Sequence, residues 1–248
     1  MLGPDEFIRY SRQLKMPGFG VESQEKLKNA RVAIIGVGGL GCSSSIALVS
    51  AGVGHITLVD HDSIELSDLN RQFLYWEEDI GRKKVFVAQS KLSKLNPSIQ
   101  IIPRFDKLTK DTVYDIVGNN QIIIDGTDNL ETRLILNSAC VSLGIPFIIG
   151  GVSRFQGMVT TILPGQTPCL ACFQSEGLGG AGVLGVIPAL ISNMQSLEAI
   201  KLIIGKKPAL AGKILLFNGD SYKFRIYDIQ RNENCTVCSG ISPGKSDK

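Results

Sequence analysis

The sequence predicts an α/β protein: a Rossmann-like, doubly wound, mostly parallel sheet with an antiparallel C-terminal extension and a structural zinc site. Three observations carry this expectation. Short β-branched runs alternate with helix-patterned segments between Arg31 and Ile149, and such alternation predicts parallel strands with helices on both faces. A glycine-rich turn, Gly36-Val37-Gly38-Gly39-Leu40-Gly41, joins the first of those strands to the helix after it. Two C-x-x-C pairs, Cys169/Cys172 and Cys235/Cys238, follow once the alternation has ended.

Residues 6–14 and 22–27 carry helical apolar spacing on either side of the Pro17-Gly18 break, so residues 1–30 read as an N-terminal helical arm. Strands are predicted at 31–35, 55–59, 99–103, 121–124 and 146–149, each a short apolar run. Helices are predicted between them at 42–51, 83–95, 109–117 and 130–143, several ended by Gly or Asn-Pro. Past Gly151 the pattern changes. Residues 158–163 read as a strand, 184–204 as a long apolar helix broken near its start by Pro188, and 213–217 with 224–229 as an antiparallel pair around Asn218-Gly219-Asp220. Residues 31–241 are expected to form a single domain and 242–248 a flexible polar tail.

Composition narrows the function classes. The 248 residues are 44% hydrophobic and 20% charged, enough apolar material for a core. A formal net charge of +3 with unclustered basic residues gives no case for a nucleic-acid partner. The first twenty residues do not pattern as a signal peptide, and the apolar stretches are too short and interrupted to span a bilayer, so a cytoplasmic protein without membrane partners is expected. In that setting paired C-x-x-C motifs favour a metal over disulfides. Four thiolates suit a closed tetrahedral Zn²⁺ of structural role. Cys42 and Cys140 stand alone on helix-patterned segments, where buried, inert thiols are expected.

The glycine turn lets the backbone approach a phosphate, and the helix after it offers free N–H groups. Asp60 closes the next strand, where a nucleotide-binding fold places a carboxylate on ribose hydroxyls. This much suits NAD or FAD as well as ATP. Asp62, Asp68, Asn70, Arg71 and Gln72 follow, then Arg82-Lys83-Lys84, and Asp125-Gly126-Thr127-Asp128-Asn129 ends a later strand. Arg71 and Lys84 beside Asp128 suit a triphosphate: two cations for phosphates and a carboxylate for Mg²⁺. Taken singly, Arg71 reads equally as a surface ion pair, Lys84 as part of a solvated basic run, and Asp128 as a helix cap.

In these motifs, with Arg9-Tyr10-Ser11-Arg12-Gln13, Ser67-Asp68-Leu69-Asn70-Arg71-Gln72, Asp79-Ile80-Gly81-Arg82-Lys83-Lys84 and the cysteine pairs, the chain resembles the MoeB/ThiF family of ubiquitin-activating-enzyme-like adenylyltransferases. The resemblance runs from about residue 7 to 239, in family order. It implies ATP as substrate, with Gly39 under the phosphates and Asp60 on the ribose. It implies Arg71 and Lys84 on the triphosphate and Asp128 on Mg²⁺. Arg12 would reach a neighbouring subunit's nucleotide site, which implies a homodimer. The carboxylate would be the C-terminal Gly-Gly of a ubiquitin-like sulfur carrier.

The chain departs from the family in three places. Where relatives carry a cysteine shortly before an Ala-Gly-Val segment, this chain has Leu178 before Ala181-Gly182-Val183, in a short glycine-rich stretch. Leucine cannot act as a nucleophile, so the expected reaction stops at the acyl-adenylate and a downstream thiol protein accepts the acyl group. The short stretch also leaves room for a small carboxylic acid, such as the pyridinol precursor of the iron hydrogenase cofactor, in place of a protein tail. Asp68, an expected nucleotide contact with Asp62, Asn70, Gln72 and Asn129, stands where relatives often have Asn, and Gln156-Gly157-Met158 replaces Glu-Gly-Gln. Two other readings remain: a non-catalytic nucleotide-binding scaffold subunit and, on the glycine turn alone, a nicotinamide oxidoreductase.

Overall fold

A computed structural model describes residues 1–173 and 182–240. The sheet grows from β1 (Arg31–Ile35), whose run Val32 to Ile35 is buried on both faces. It pairs in parallel with β2 (His55–Val59) on one side and β4 (Ile122–Asp125) on the other. Continuous apolar runs are what a strand covered on both faces requires. Outside β2 lies β3 (Gln100–Arg104), and beyond β4 lies β5 (Phe147–Ser153), both parallel to their neighbours. Then the direction reverses. The strands β6 (Gln156–Ile162), β7 (Lys213–Asn218) and β8 (Lys223–Asp228) add antiparallel, giving the order β3-β2-β1-β4-β5-β6-β7-β8. The predicted mostly parallel sheet with an antiparallel extension is what forms.

Alternate residues of the central strands feed two separate cores, one on each face. Val32, Ile34, Ile56, Leu58 and Ile124 pack with α4 (Gly39–Ala51), α5 (Lys84–Leu95) and α9 (Val186–Ile203). Ala33, Ile35, Ile123 and Phe147 pack with α6 (Val113–Val117) and α7 (Leu130–Leu143). The strand order reverses between β1 and β4, and that is where an open α/β sheet opens a crevice at the strands' carboxyl ends.

The glycine turn fits that crevice only as glycine. Gly36 takes φ +89°, and a Cβ there would lie 2.6 Å from the Gly126 carbonyl oxygen. A Cβ on Gly41 would lie 1.9 Å from the Gly36 carbonyl oxygen. The helix therefore begins at Gly39, earlier than the apolar pattern from residue 42 indicates, and three of the glycines lie in or against its first turn.

The remaining departures have local causes. The helix predicted over 6–14 is split into α1 (Pro4–Arg9) and α2 (Ser11–Leu14) at Tyr10, which is buried with its hydroxyl accepting from Asn96 Nδ2 at 2.9 Å. The following helix, α3, is longer than its pattern (Gly20–Asn29). Its Gln24, with Gln13, donates to the Ala51 carbonyl and so closes the C-terminus of α4. The helix expected from residue 109 starts at Val113, because Thr109 and Thr112 bond each other's backbone and hydroxyls instead. Pro188 does not break α9. It is the third residue of that helix, where its missing N–H has no intrahelical acceptor to lose. A short helix, α8 (Leu170–Phe173), carries Cys172, with Cys169 immediately before it. Leu178 and the 242–248 tail lie outside the described residues. Among the described residues no helix is long and apolar enough to cross a membrane.

Replacing Gly41 with Ala would force apart the backbone of the glycine turn. A loss of about 2–3 kcal/mol in urea unfolding is expected, as for other overpacked sites, and an unchanged midpoint would show that the turn tolerates a side chain.

Candidate functional site

A cleft of about 960 Å³ opens at the carboxyl ends of β1, β2 and β4. It gathers nearly every residue singled out by the sequence. Gly36, Gly38, Gly39 and Leu40 form one wall, Asp60 and Asp62 another, and Asp68, Asn70, Arg71, Gln72 and Lys84 a third. Asp128 and Asn129 enter from the end of β4. Gly41 does not line the cleft; it packs behind the turn, against Gly36 and Ile34. Arg12 is exposed on α2 and does not line this chain's own cleft.

The side chains at the base are fixed by hydrogen bonds. Asp60 accepts from the Val37 N–H at 2.7 Å and the Asp62 N–H at 2.8 Å, tying the glycine turn to the end of β2. Lys84 Nζ lies 3.5 Å from Asp62 and 3.4 Å from Asp68. Arg71 reaches Asp68 at 3.3 Å and donates to the Ser67 carbonyl at 2.7 Å. Lys84 is therefore a buried, paired cation rather than part of a solvated run.

Opposite these cations, Asp125 is fully buried and meets Arg133 Nε at 2.7 Å. Its other oxygen accepts from the Thr127 N–H at 2.9 Å and the Thr127 hydroxyl at 2.6 Å. Burial pushes the Asp125 carboxyl up, and the Arg133 charge with the Thr127 donors pulls against it. Arg133 also donates to the carbonyls of Thr127 and Gly150, at 2.8 and 2.7 Å. The 125–129 turn is thus held from inside. Asn129 takes the helix cap, accepting from Thr132 N–H at 2.9 Å, which leaves Asp128 exposed to the cleft. Arg133 and the far wall at Asp106, Lys107 and Leu108 were not legible in the sequence. Arg133 sits in an ordinary helical pattern, and the 106–108 loop carries no motif.

Away from the cleft, Cys169, Cys172, Cys235 and Cys238 bring their sulfurs within 4.8 Å of one another. Cys169 and Cys235 are 3.6 Å apart, and Cys172 and Cys238 are 3.4 Å apart. A disulfide needs about 2 Å, whereas a tetrahedral Zn²⁺ with thiolates at about 2.3 Å spaces sulfurs by about 3.8 Å. The donor set fits zinc. At Cys235 burial raises the thiol, but the Val237 and Cys238 N–H donors together with the Cys169 and Cys238 thiols outweigh it and bring it down to about 7. A metal here would tie the segment after β8 to α8. Cys42 and Cys140 are buried. Burial pushes the Cys42 thiol up to about 12, so neither its access nor its acidity suits a nucleophile.

Two outcomes follow from this geometry. Arg133→Met should cost about 3–5 kcal/mol in denaturant unfolding, because it strands a buried carboxylate, and adding Asp125→Asn should restore part of the loss; a neutral single substitution would show that the pair does not hold the turn. Purified protein should carry about one zinc per chain by elemental analysis. Cys238→Ser should lose that zinc and lower Tm by about 10 °C; full stability without metal would remove the structural role.

The model of the ThiF family matches residues 10–237. The adenylyltransferase and sulfurtransferase MOCS3 of Culex quinquefasciatus is 39% identical over 247 residues, covering 96% of this chain and 56% of that protein. MOCS3 of Drosophila grimshawi is 41% identical over 248 residues, covering 96% and 55%. The chain thus spans just over half the length of these relatives. Among solved structures, E. coli MccB with ATP superposes with a TM-score of 0.82 at 26% identity, over 93% of this chain and 73% of that one. PaaA superposes with a TM-score of 0.80 at 26% identity, over 92% and 75%. The chain belongs to the ThiF family.

Proposed function

We propose that this chain is an adenylyltransferase that activates the C-terminal carboxylate of a ubiquitin-like sulfur carrier with ATP. One observation supports this above the others: a glycine turn at a helix N-terminus, two cations and an exposed carboxylate face one cleft at the sheet's switch point. The names of the MOCS3 relatives and the likeness to MccB solved with ATP point the same way.

In this reading the N–H groups around Gly38, Gly39 and Leu40 receive phosphate oxygens, and Asp60 receives the ribose. Asp62, Asn70 and Asn129 complete the nucleotide's surroundings, and Gln72 holds Asp68 behind them. A carboxylate oxygen attacks the α-phosphorus, and the bond to the β-phosphate breaks to release pyrophosphate. Arg71 and Lys84 stabilise the charge that builds on the leaving group. Mg²⁺, held through Asp128 oxygens, would neutralise phosphate charge. Everything the protein does here is positioning and electrostatics.

A homodimer with Arg12 supplied to the neighbouring cleft is part of the proposal, supported by Arg12 being exposed and not lining its own cleft. The acyl-adenylate is the product. Leu178 offers no thiol, and Cys42 and Cys140 are buried, which supports handing the acyl group to a separate thiol protein. The short glycine-rich stretch around Leu178 favours one second reading, a small carboxylic acid as substrate.

The test is ATP–pyrophosphate exchange with radiolabelled pyrophosphate, offering a sulfur carrier ending in Gly-Gly and then a panel of small carboxylic acids. Exchange that requires the carrier and falls at least about a hundredfold in Asp128→Ala is expected. Exchange with a small acid alone would move the substrate, and tight ATP binding without exchange would replace the enzyme with a nucleotide-binding scaffold.

A further inference from the structure

Asp68 is the most fully engaged carboxylate in the cleft. It is 6% exposed. Its Oδ1 accepts from Gln72 Nε2 at 2.7 Å and lies 3.3 Å from Arg71 Nη2. Its Oδ2 accepts from the Glu65 N–H at 3.1 Å and lies 3.4 Å from Lys84 Nζ. A carboxylate has about four lone-pair positions, and all four face protein donors. None is left for a ribose hydroxyl or a metal ion, and a carboxylate has no proton to donate to a phosphate.

The four contacts are not alike: three are hydrogen bonds, and Lys84 makes an ion pair. The anchors come from the neutral groups, Gln72 and the Glu65 N–H. The two cations stand at 3.3 and 3.4 Å, longer than the usual 2.7–2.9 Å or so of a charge-assisted bond. They are aligned but retain hydrogen-bonding capacity toward the cleft. Gln72 itself is 2% exposed, so the anchor is as rigid as the wall around it. Asp62, the other acid near Lys84, is half exposed and free to move away when a phosphate arrives.

We infer that Asp68 is a positioning residue, not a nucleotide ligand: pinned by Gln72 and the Glu65 N–H, it holds Arg71 and Lys84 side by side for the two outer phosphates of a nucleoside triphosphate. The inference rests on the nucleotide reading of the cleft and departs from the ligand role expected of this position. It makes Asp68 act only through the two cations, and only on ligands that reach them.

Calorimetric titration of the full chain with MgATP, magnesium pyrophosphate and AMP tests this without a known acceptor. Asp68→Asn should weaken MgATP and pyrophosphate by about tenfold each, a size usual for coupled neighbours, and leave AMP within about twofold. The loss should persist for ATP without magnesium. In a Lys84→Met background it should shrink to about threefold, since Arg71 alone remains to be placed. Gln72→Met, which frees the carboxylate while keeping its charge, should give the same pattern at smaller size, and it decides the matter if Asp68→Asn melts early. Equal loss for AMP would make Asp68 a direct ligand, loss confined to magnesium-containing titrations would make it a metal ligand, and additive effects with Lys84→Met would remove the coupling; each would overturn the inference. Wild-type protein that binds neither MgATP nor pyrophosphate would overturn the nucleotide reading along with it.

Discussion

Asp125 and Arg133 meet inside the protein, at the point where the sheet changes the direction in which its strands are added. Burying two charges costs several kcal/mol each unless every remaining donor and acceptor finds a partner. Here Thr127 serves the other Asp125 oxygen, and two carbonyls accept from Arg133 Nη2. The Thr127 carbonyl lies in the turn after β4, and the Gly150 carbonyl lies in the middle of β5. The ion pair therefore ties the turn after β4 to β5 and fixes the path of that turn. Gly36 can press against Gly126 only because that turn keeps its place. The cleft's floor follows from this contact, and Asp128 faces the cleft as its consequence.

The opposite wall is built by different means. Asp68, Arg71 and Lys84 come from a segment with little regular structure, a 3₁₀ turn at Leu66–Asp68 followed by the start of α5. An isolated antiparallel bridge between Ser63 and Lys83 closes its two ends, and side chains hold what lies between. Paired acids and bases accomplish this while presenting Arg71 and Lys84 to the cleft. Rigid backbone on one side and a mutually held set of charges on the other give a site that is preorganised before any ligand enters, which is what electrostatic catalysis of group transfer demands. The cysteine cluster does a related task at distance, joining the chain beyond β8 to the short helix after β6.

Most of the fold could be read from the residues because strands covered on both faces have to be continuous apolar runs, as at 31–35 and 122–124, and because Gly-rich turns can stand in few other places. The glycine turn, Asp60, Arg71, Lys84 and Asp128 all carried a motif and all reached one cleft. What was illegible is set by tertiary contact. Arg133 looks like any helical arginine until the Asp125 carboxylate is placed beside it. Tyr10 splits a helix that its periodicity continues, because Asn96, far along the chain, binds its hydroxyl. Pro188 reads as a break but lies where a helix accepts proline. Asp68 looked like a nucleotide contact by position, and only the donors around it reveal how little of it is available.

In the proposed reaction a carboxylate oxygen becomes bonded to the α-phosphorus of ATP in this cleft. This step is tested most directly by carrying heavy-oxygen label in the C-terminal carboxylate of the sulfur carrier, running a single turnover with MgATP, and discharging the product with hydroxylamine. The account predicts AMP bearing one labelled oxygen, seen by mass spectrometry. Unlabelled AMP, or label in inorganic phosphate with ADP as the other product, would contradict it.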